Sequence, residues 1–107
     1  MQVAIKGINV DVTTALAEYT QNKIGGLVKF YPETLRMDVE LERTTQHHQK
    51  GENLFRSSAK AFVPGHSFYA EASAADLYGA IDILRDELKK EMSRFKTKKM
   101  KRDRKSF

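Results

Sequence analysis

From Leu35 to Glu42 four apolar residues alternate with four charged ones, Leu-Arg-Met-Asp-Val-Glu-Leu-Glu. A period of two with one charged face predicts a strand that is wet on one side and buried on the other. The same period appears at Met1 to Lys6, where Met1, Val3 and Ile5 alternate with Gln2, Ala4 and Lys6 before Gly7 and Asn9 end the run. It returns in Phe55, Ser57, Ala59, Ala61 and Val63. Pro64 and Gly65 then supply a tight turn, and Phe68, Ala70 and Ala72 predict a fourth strand in antiparallel return. Small residues on that inner face leave room for a helix to lie close.

Two stretches carry the helical period instead. Thr13 suits an N-cap, its hydroxyl accepting from a free amide of the first turn, and Leu16, Tyr19, Ile24 and Leu27 follow on one broad face. Gly25 and Gly26 weaken this helix by roughly 1 kcal/mol each relative to alanine, and Pro32 closes it. Asp76 caps the last helix, whose stripe Leu77, Ile81, Leu84, Leu88, Met92 and Phe95 covers about one third of its circumference. About 20 residues of helix would reach roughly 30 Å. The order βαβββα predicts an α+β fold, a four-stranded, mostly antiparallel sheet with both helices on one face.

Composition narrows the class. The 107 residues suit one domain, and 40% hydrophobic content suits a packed core. There is no cysteine, which excludes a disulfide framework and thiolate metal sites. No apolar run approaches the roughly 20 residues of a membrane span, and the N-terminus lacks a signal-peptide profile. A soluble cytoplasmic protein with no membrane partner is expected.

Charge adds most. Ten of the nineteen Lys and Arg residues fall between Lys89 and Phe107, opposed only by Glu91 and Asp103, so that end carries +8 while residues 1–88 carry −3. Such polarity points to a polyanionic partner. The chain divides into a folded domain, 1–98, and a basic flexible tail or start of a linker, 99–107. On the last helix Arg85, Lys89 and Lys96 flank the apolar stripe, and Lys90, Arg94 and Lys98 form an i, i+4 row. Its step of about 6 Å matches the spacing of successive phosphates on a nucleic-acid strand. Glu87 and Glu91 interrupt it and are placed to pair with Lys90 and Lys98.

Catalysis finds little support. Arg43 to Asn53 reads as a long polar hairpin loop, and its His47 and His48 lack ligand spacing. Asp82 and Asp86 fit a solvated helix face or partners of Arg85 and Lys89. No GxGxxG, GxxxxGK[ST] or GxSxG occurs. The expectation is no enzyme, no metal site and no cofactor.

The start, Met1 to Leu16, and above all Asp76-Leu77-Tyr78-Gly79-Ala80-Ile81-Asp82, resemble the ribosome hibernation-promoting factor family over essentially residues 1–98. The resemblance implies a βαβββα fold related to double-stranded RNA-binding domains. It implies a translation inhibitor that lodges in the mRNA and tRNA channel of the small ribosomal subunit, contacts ribosomal RNA, and competes with mRNA and with A- and P-site tRNA. Carried across, Lys23, Lys90, Arg94, Lys96 and Lys98 match basic family positions. Lys89 and Lys99 join them as candidate nucleic-acid contacts because Glu87 and Gly26 stand where relatives often have lysine. Long family members add a C-terminal dimerising domain, so a homodimer is expected only if such a domain extends this chain. The alternative reading is a general basic RNA- or DNA-binding module of the same fold.

Overall fold

The computed structural model describes residues 1–44 and 54–104, and for 99–104 the backbone alone. Strand β1 (Gln2–Ile8) leads to helix α1 (Thr14–Lys23) and a 3-10 helix (Gly25–Lys29). Strands β2 (Arg36–Arg43), β3 (Phe55–Val63) and β4 (His66–Ala74) come next, then helix α2 (Leu77–Arg104). The sheet runs β1-β2-β3-β4, with β1 parallel to β2 and the other pairs antiparallel. A parallel pair needs a crossover, which α1 provides.

Register explains where the helices sit. Three inner rows cross the sheet: Val3-Met37-Ala61-Phe68, Ile5-Val39-Ala59-Ala70 and Gly7-Leu41-Ser57-Ala72. Bulk is concentrated on β2, while β3 and β4 offer mostly Ala and Ser, so α2 packs directly over those two strands. At the closest approach Ala80 is fully buried and the Ser57 hydroxyl donates to its carbonyl at 2.8 Å. Leu77, Ile81, Leu84, Leu88 and Met92 fill the space between helix and sheet, each contributing about 1.5–3 kcal/mol of apolar burial.

Both expected caps form. The Leu16 amide donates to Thr13 Oγ1 at 3.2 Å, and the Gly79 amide to Asp76 Oδ1 at 2.6 Å. Helix α1 stops at the glycine pair, where the chain tightens into the 3-10 helix. A Cβ on Gly25 would lie 3.3 Å from Val3, so glycine lets this segment pass close over β1. The β3–β4 turn uses Pro64 and a left-handed Gly65, φ 74°.

Several expectations need correction. Strand β1 runs on through Gly7 to Ile8, and Met1 is half exposed rather than packed against the core with the partly buried Val3 and Ile5. Leu35 precedes β2 and is 60% exposed, because its backbone, not its side chain, does the packing: its amide donates to the Phe62 carbonyl at 2.7 Å. Arg43 belongs to β2 rather than to the loop, and most of that loop, including His47 and His48, lies outside the described residues. Helix α2 has 28 residues, about 42 Å, and continues through the segment 99–104 that the pattern assigns to a loose tail. Good helix formers dominate there, and no Gly or Pro stops the helix.

Candidate nucleic-acid interface

The apolar stripe of α2 fixes which side chains face outward. With Leu84, Leu88 and Met92 at zero exposure against the sheet, Arg85, Asp86, Lys89, Lys90, Ser93 and Arg94 project away and line a shallow concavity of about 370 Å³. Four of its six lining residues are cations. Arg85 stands among them although the seven expected contact residues omit it.

Each cation has a defined setting. Lys90 Nζ lies 3.2 Å from Glu87 Oε1, and Arg94 Nη1 lies 3.2 Å from Glu91 Oε1, both one turn apart. Glu91 thus holds Arg94 and not Lys98, since the i, i+3 neighbour brings its guanidinium within reach first. Arg85 pairs with Asp86 at 3.1 Å. Lys89 sits 5.1 Å from the centre of the Phe30 ring. Lys98 is exposed and makes no ion pair with a described residue. The side chain of Lys99 lies outside the described residues.

Lys96 differs from the rest. Its ammonium donates to the Phe30 carbonyl at 3.1 Å and lies 4.6 Å from the Phe30 ring and 6.0 Å from Tyr31. It therefore ties the end of the 3-10 helix to α2 and is partly buried there. Phe30, pinned between Lys89 and Lys96, carries no signal in the sequence, because its partners are about 60 residues away.

Nearer the start of α2, Asp82 faces α1 rather than Arg85 or Lys89. Tyr19 donates its hydroxyl to Asp82 Oδ1 at 2.5 Å, and Lys23 Nζ lies 3.7 Å from the same oxygen. The Asp82 carboxylate raises the Tyr19 pKa, since losing the phenolic proton would break the bond and set two anions together. Lys23 also lies 5.6 Å from the Tyr19 ring, and Tyr78 packs edge-on against that ring. Lys23 and the α2 cations thus flank one side of the helical layer, with Asp82 fixing Lys23 in place.

The outer sheet face is electrically different. Lys6, Arg36, Arg56 and Lys60 meet Asp38, Glu40, Glu42 and Glu71 there, four charges of each sign. Arg36 holds Asp38 with two hydrogen bonds, at 2.9 and 2.6 Å, which keep the Asp38 carboxyl below its usual range. Arg56 bonds Glu71 and lies 3.4 Å from Glu42, and Glu71 is lowered by Arg56 and by the Tyr69 hydroxyl. Among the described residues no helix is long and apolar enough to cross a membrane.

A family model described as sigma 54 modulation protein / S30EA ribosomal protein matches residues 3–100. The chain belongs to this family. The ribosome hibernation promoting factor of Acinetobacter guillouiae is 31% identical over 106 residues, covering 96% of this chain and 92% of that one. The ribosome hibernation promotion factor of Deinococcus radiodurans is 32% identical over 97 residues, which is 91% of this chain but 50% of the relative. The chain therefore spans half of that longer relative. The N-terminal domain of Protein Y from Thermus thermophilus superposes with a TM-score of 0.72 at 28% identity, covering 89% of this chain and 99% of that one. The α+β fold is thus the family's own.

Proposed function

We propose that this chain is a ribosome-associated regulator of translation, a cytoplasmic hibernation factor that binds the small ribosomal subunit in its mRNA and tRNA channel. The cationic concavity of Arg85, Lys89, Lys90 and Arg94 on a helix held rigid by its buried stripe carries this reading. Rigid placement matters, because the side chains reach phosphates without first ordering a backbone. Ribosomal RNA is the partner whose charge fits: neutralising its phosphates releases counterions and yields affinity that needs no particular base. Membership of a family whose relatives are named as hibernation factors directs that affinity to the ribosome. The protein acts by occupying the channel, with no catalytic step and no cofactor.

Co-sedimentation with purified small subunits, with and without bound mRNA and P-site tRNA, tests the proposal. The protein should sediment with vacant subunits and be excluded by the filled channel. Simultaneous binding would rule out channel occupancy. Equal affinity for free RNA of matched length would favour the general nucleic-acid module instead.

A further inference from the structure

Four tyrosines occur in the chain, and three of them have a defined place in the fold. Tyr31 is buried in the core, Tyr19 donates its hydroxyl to Asp82, and Tyr69 donates its own to Glu71. Tyr78 is the exception. It is 43% exposed and stands outside the core cluster that its neighbours Leu77 and Ile81 join. Tyr19 meets it edge-on, ring centres 4.8 Å apart at 78°, and so supports the ring while leaving it open to solvent.

Its position ties it to the cations. Steps of seven and eleven residues bring a helix of 3.6 residues per turn back to nearly the same direction. Tyr78, Arg85 and Lys89 therefore lie on one line along α2, Arg85 about 10 Å and Lys89 about 16 Å from Tyr78 along the axis. Lys23 joins that line from α1, 3.7 Å from Asp82 and beside the Tyr19 ring. The nearby carboxylates are occupied: Asp82 by Tyr19 and Lys23, Asp86 by Arg85, and Asp76 by the Gly79 amide.

We propose that Tyr78 is a base-stacking contact: an unpaired nucleobase of RNA lies on its ring while Lys23, Arg85 and Lys89 take phosphates of the same strand. This rests on the nucleic-acid reading above and adds that the strand bound there is unpaired at that point. Aromatic side chains hold unpaired RNA by stacking on bases that are splayed out. Every base has a π-face, so the contact needs no particular sequence. A duplex keeps its base faces stacked on one another and would leave the ring unused.

The chain has no tryptophan, so Tyr78→Trp places a single fluorophore at this ring. Its emission should be quenched when small subunits bind, with affinity at least that of the wild type. Tyr78→Leu keeps apolar bulk against Tyr19 but offers no ring, and should bind about fivefold more weakly or worse. Its salt slope should stay unchanged, since no phosphate contact is lost, whereas Lys23→Met should lower the slope by about 0.7. Wild-type affinity in a folded Tyr78→Leu variant, or unquenched emission from bound Tyr78→Trp, overturns the proposal. If thermal unfolding shows that Tyr78→Leu does not fold, the quenching alone decides. If the wild-type chain fails to bind small subunits, the proposed function falls. A uridine homopolymer and an abasic ribose-phosphate polymer of equal length then replace the subunit. Quenching by the homopolymer alone supports the stacking contact, and equal emission with both polymers overturns it.

Discussion

Lys96 and Lys98 are two residues apart and equally cationic, yet the structure assigns them different work, and Lys96→Met separates the two roles. Methionine keeps the length of the stem but loses the ammonium that bonds the Phe30 carbonyl at 3.1 Å and lies 4.6 Å from its ring. A hydrogen bond from a charged donor contributes about 1.5–3 kcal/mol. The site is only partly buried, so water replaces some of that, and an exposed cation–ring contact adds about 0.5–1 kcal/mol. A net loss of about 1–2 kcal/mol is expected, which lowers Tm by roughly 4–8 °C per kcal/mol in a domain of this size. Urea and thermal unfolding measure it, with Lys98→Met as the control at near-zero change. RNA binding should respond in the opposite sense: the salt slope falls by about 0.7–0.9 for Lys98→Met and stays unchanged for Lys96→Met. A Lys96→Met variant of normal stability with a reduced slope would refute the structural role of Lys96.

Charge reversal of Lys90, Arg94 and Lys98 together should weaken small-subunit binding and flatten its salt dependence by about 0.7–0.9 per lost contact, and an unchanged slope would mean the row is merely solvated. Gly7→Ala should destabilise by about 1–3 kcal/mol, because a Cβ there would lie 2.4 Å from the Val10 carbonyl oxygen; denaturant titration reads the loss. Asp82→Asn should bring the Tyr19 phenol back down toward its ordinary value, since the carboxylate is what raises it, and ultraviolet pH titration follows that phenol. Glu71 is held below its ordinary range by Arg56 and Tyr69, so its contribution is present above that range and is lost as pH falls through the depressed value. Glu71→Gln should therefore flatten the acid limb of a stability-against-pH curve.

Elements with a regular period were legible in the sequence, and contacts across long sequence separations were not. The inner rows of β2, β3 and β4 follow from alternation alone, and Thr13 and Asp76 announce their caps by residue type and position. Leu35 misleads because alternation extends one residue past the strand, where a backbone bond to Phe62 holds the chain with the side chain turned out. The candidate site shows the same divide. That Arg85, Lys89, Lys90 and Arg94 lie off the buried stripe follows from helical spacing. That Lys96 caps the Phe30 carbonyl and Asp82 holds Tyr19 does not, since those pairs are 66 and 63 residues apart.

The two faces of the domain differ more in pairing than in number of charges. On the sheet face Arg36 holds Asp38, two residues along the same strand, through two hydrogen bonds, and Arg56 bonds Glu42 and Glu71 on the two neighbouring strands, whose register fixes both partners. Such pairs resist exchange, because a displacing anion must match two or three bonds at once. On α2 the Lys90–Glu87 and Arg94–Glu91 pairs each rest on one contact between flexible side chains a turn apart, a geometry worth only about 0.2–0.5 kcal/mol. A polyanion meeting the domain can therefore exchange partners on the helical side at little cost and gains nothing on the sheet side, where charge is balanced and fixed. Orientation follows from this difference in exchange cost before any single contact is specified. Arginines moved from α2 to the sheet face at unchanged net charge should not restore binding to a charge-reversed α2 variant. A restored affinity would show that net charge alone sets the encounter.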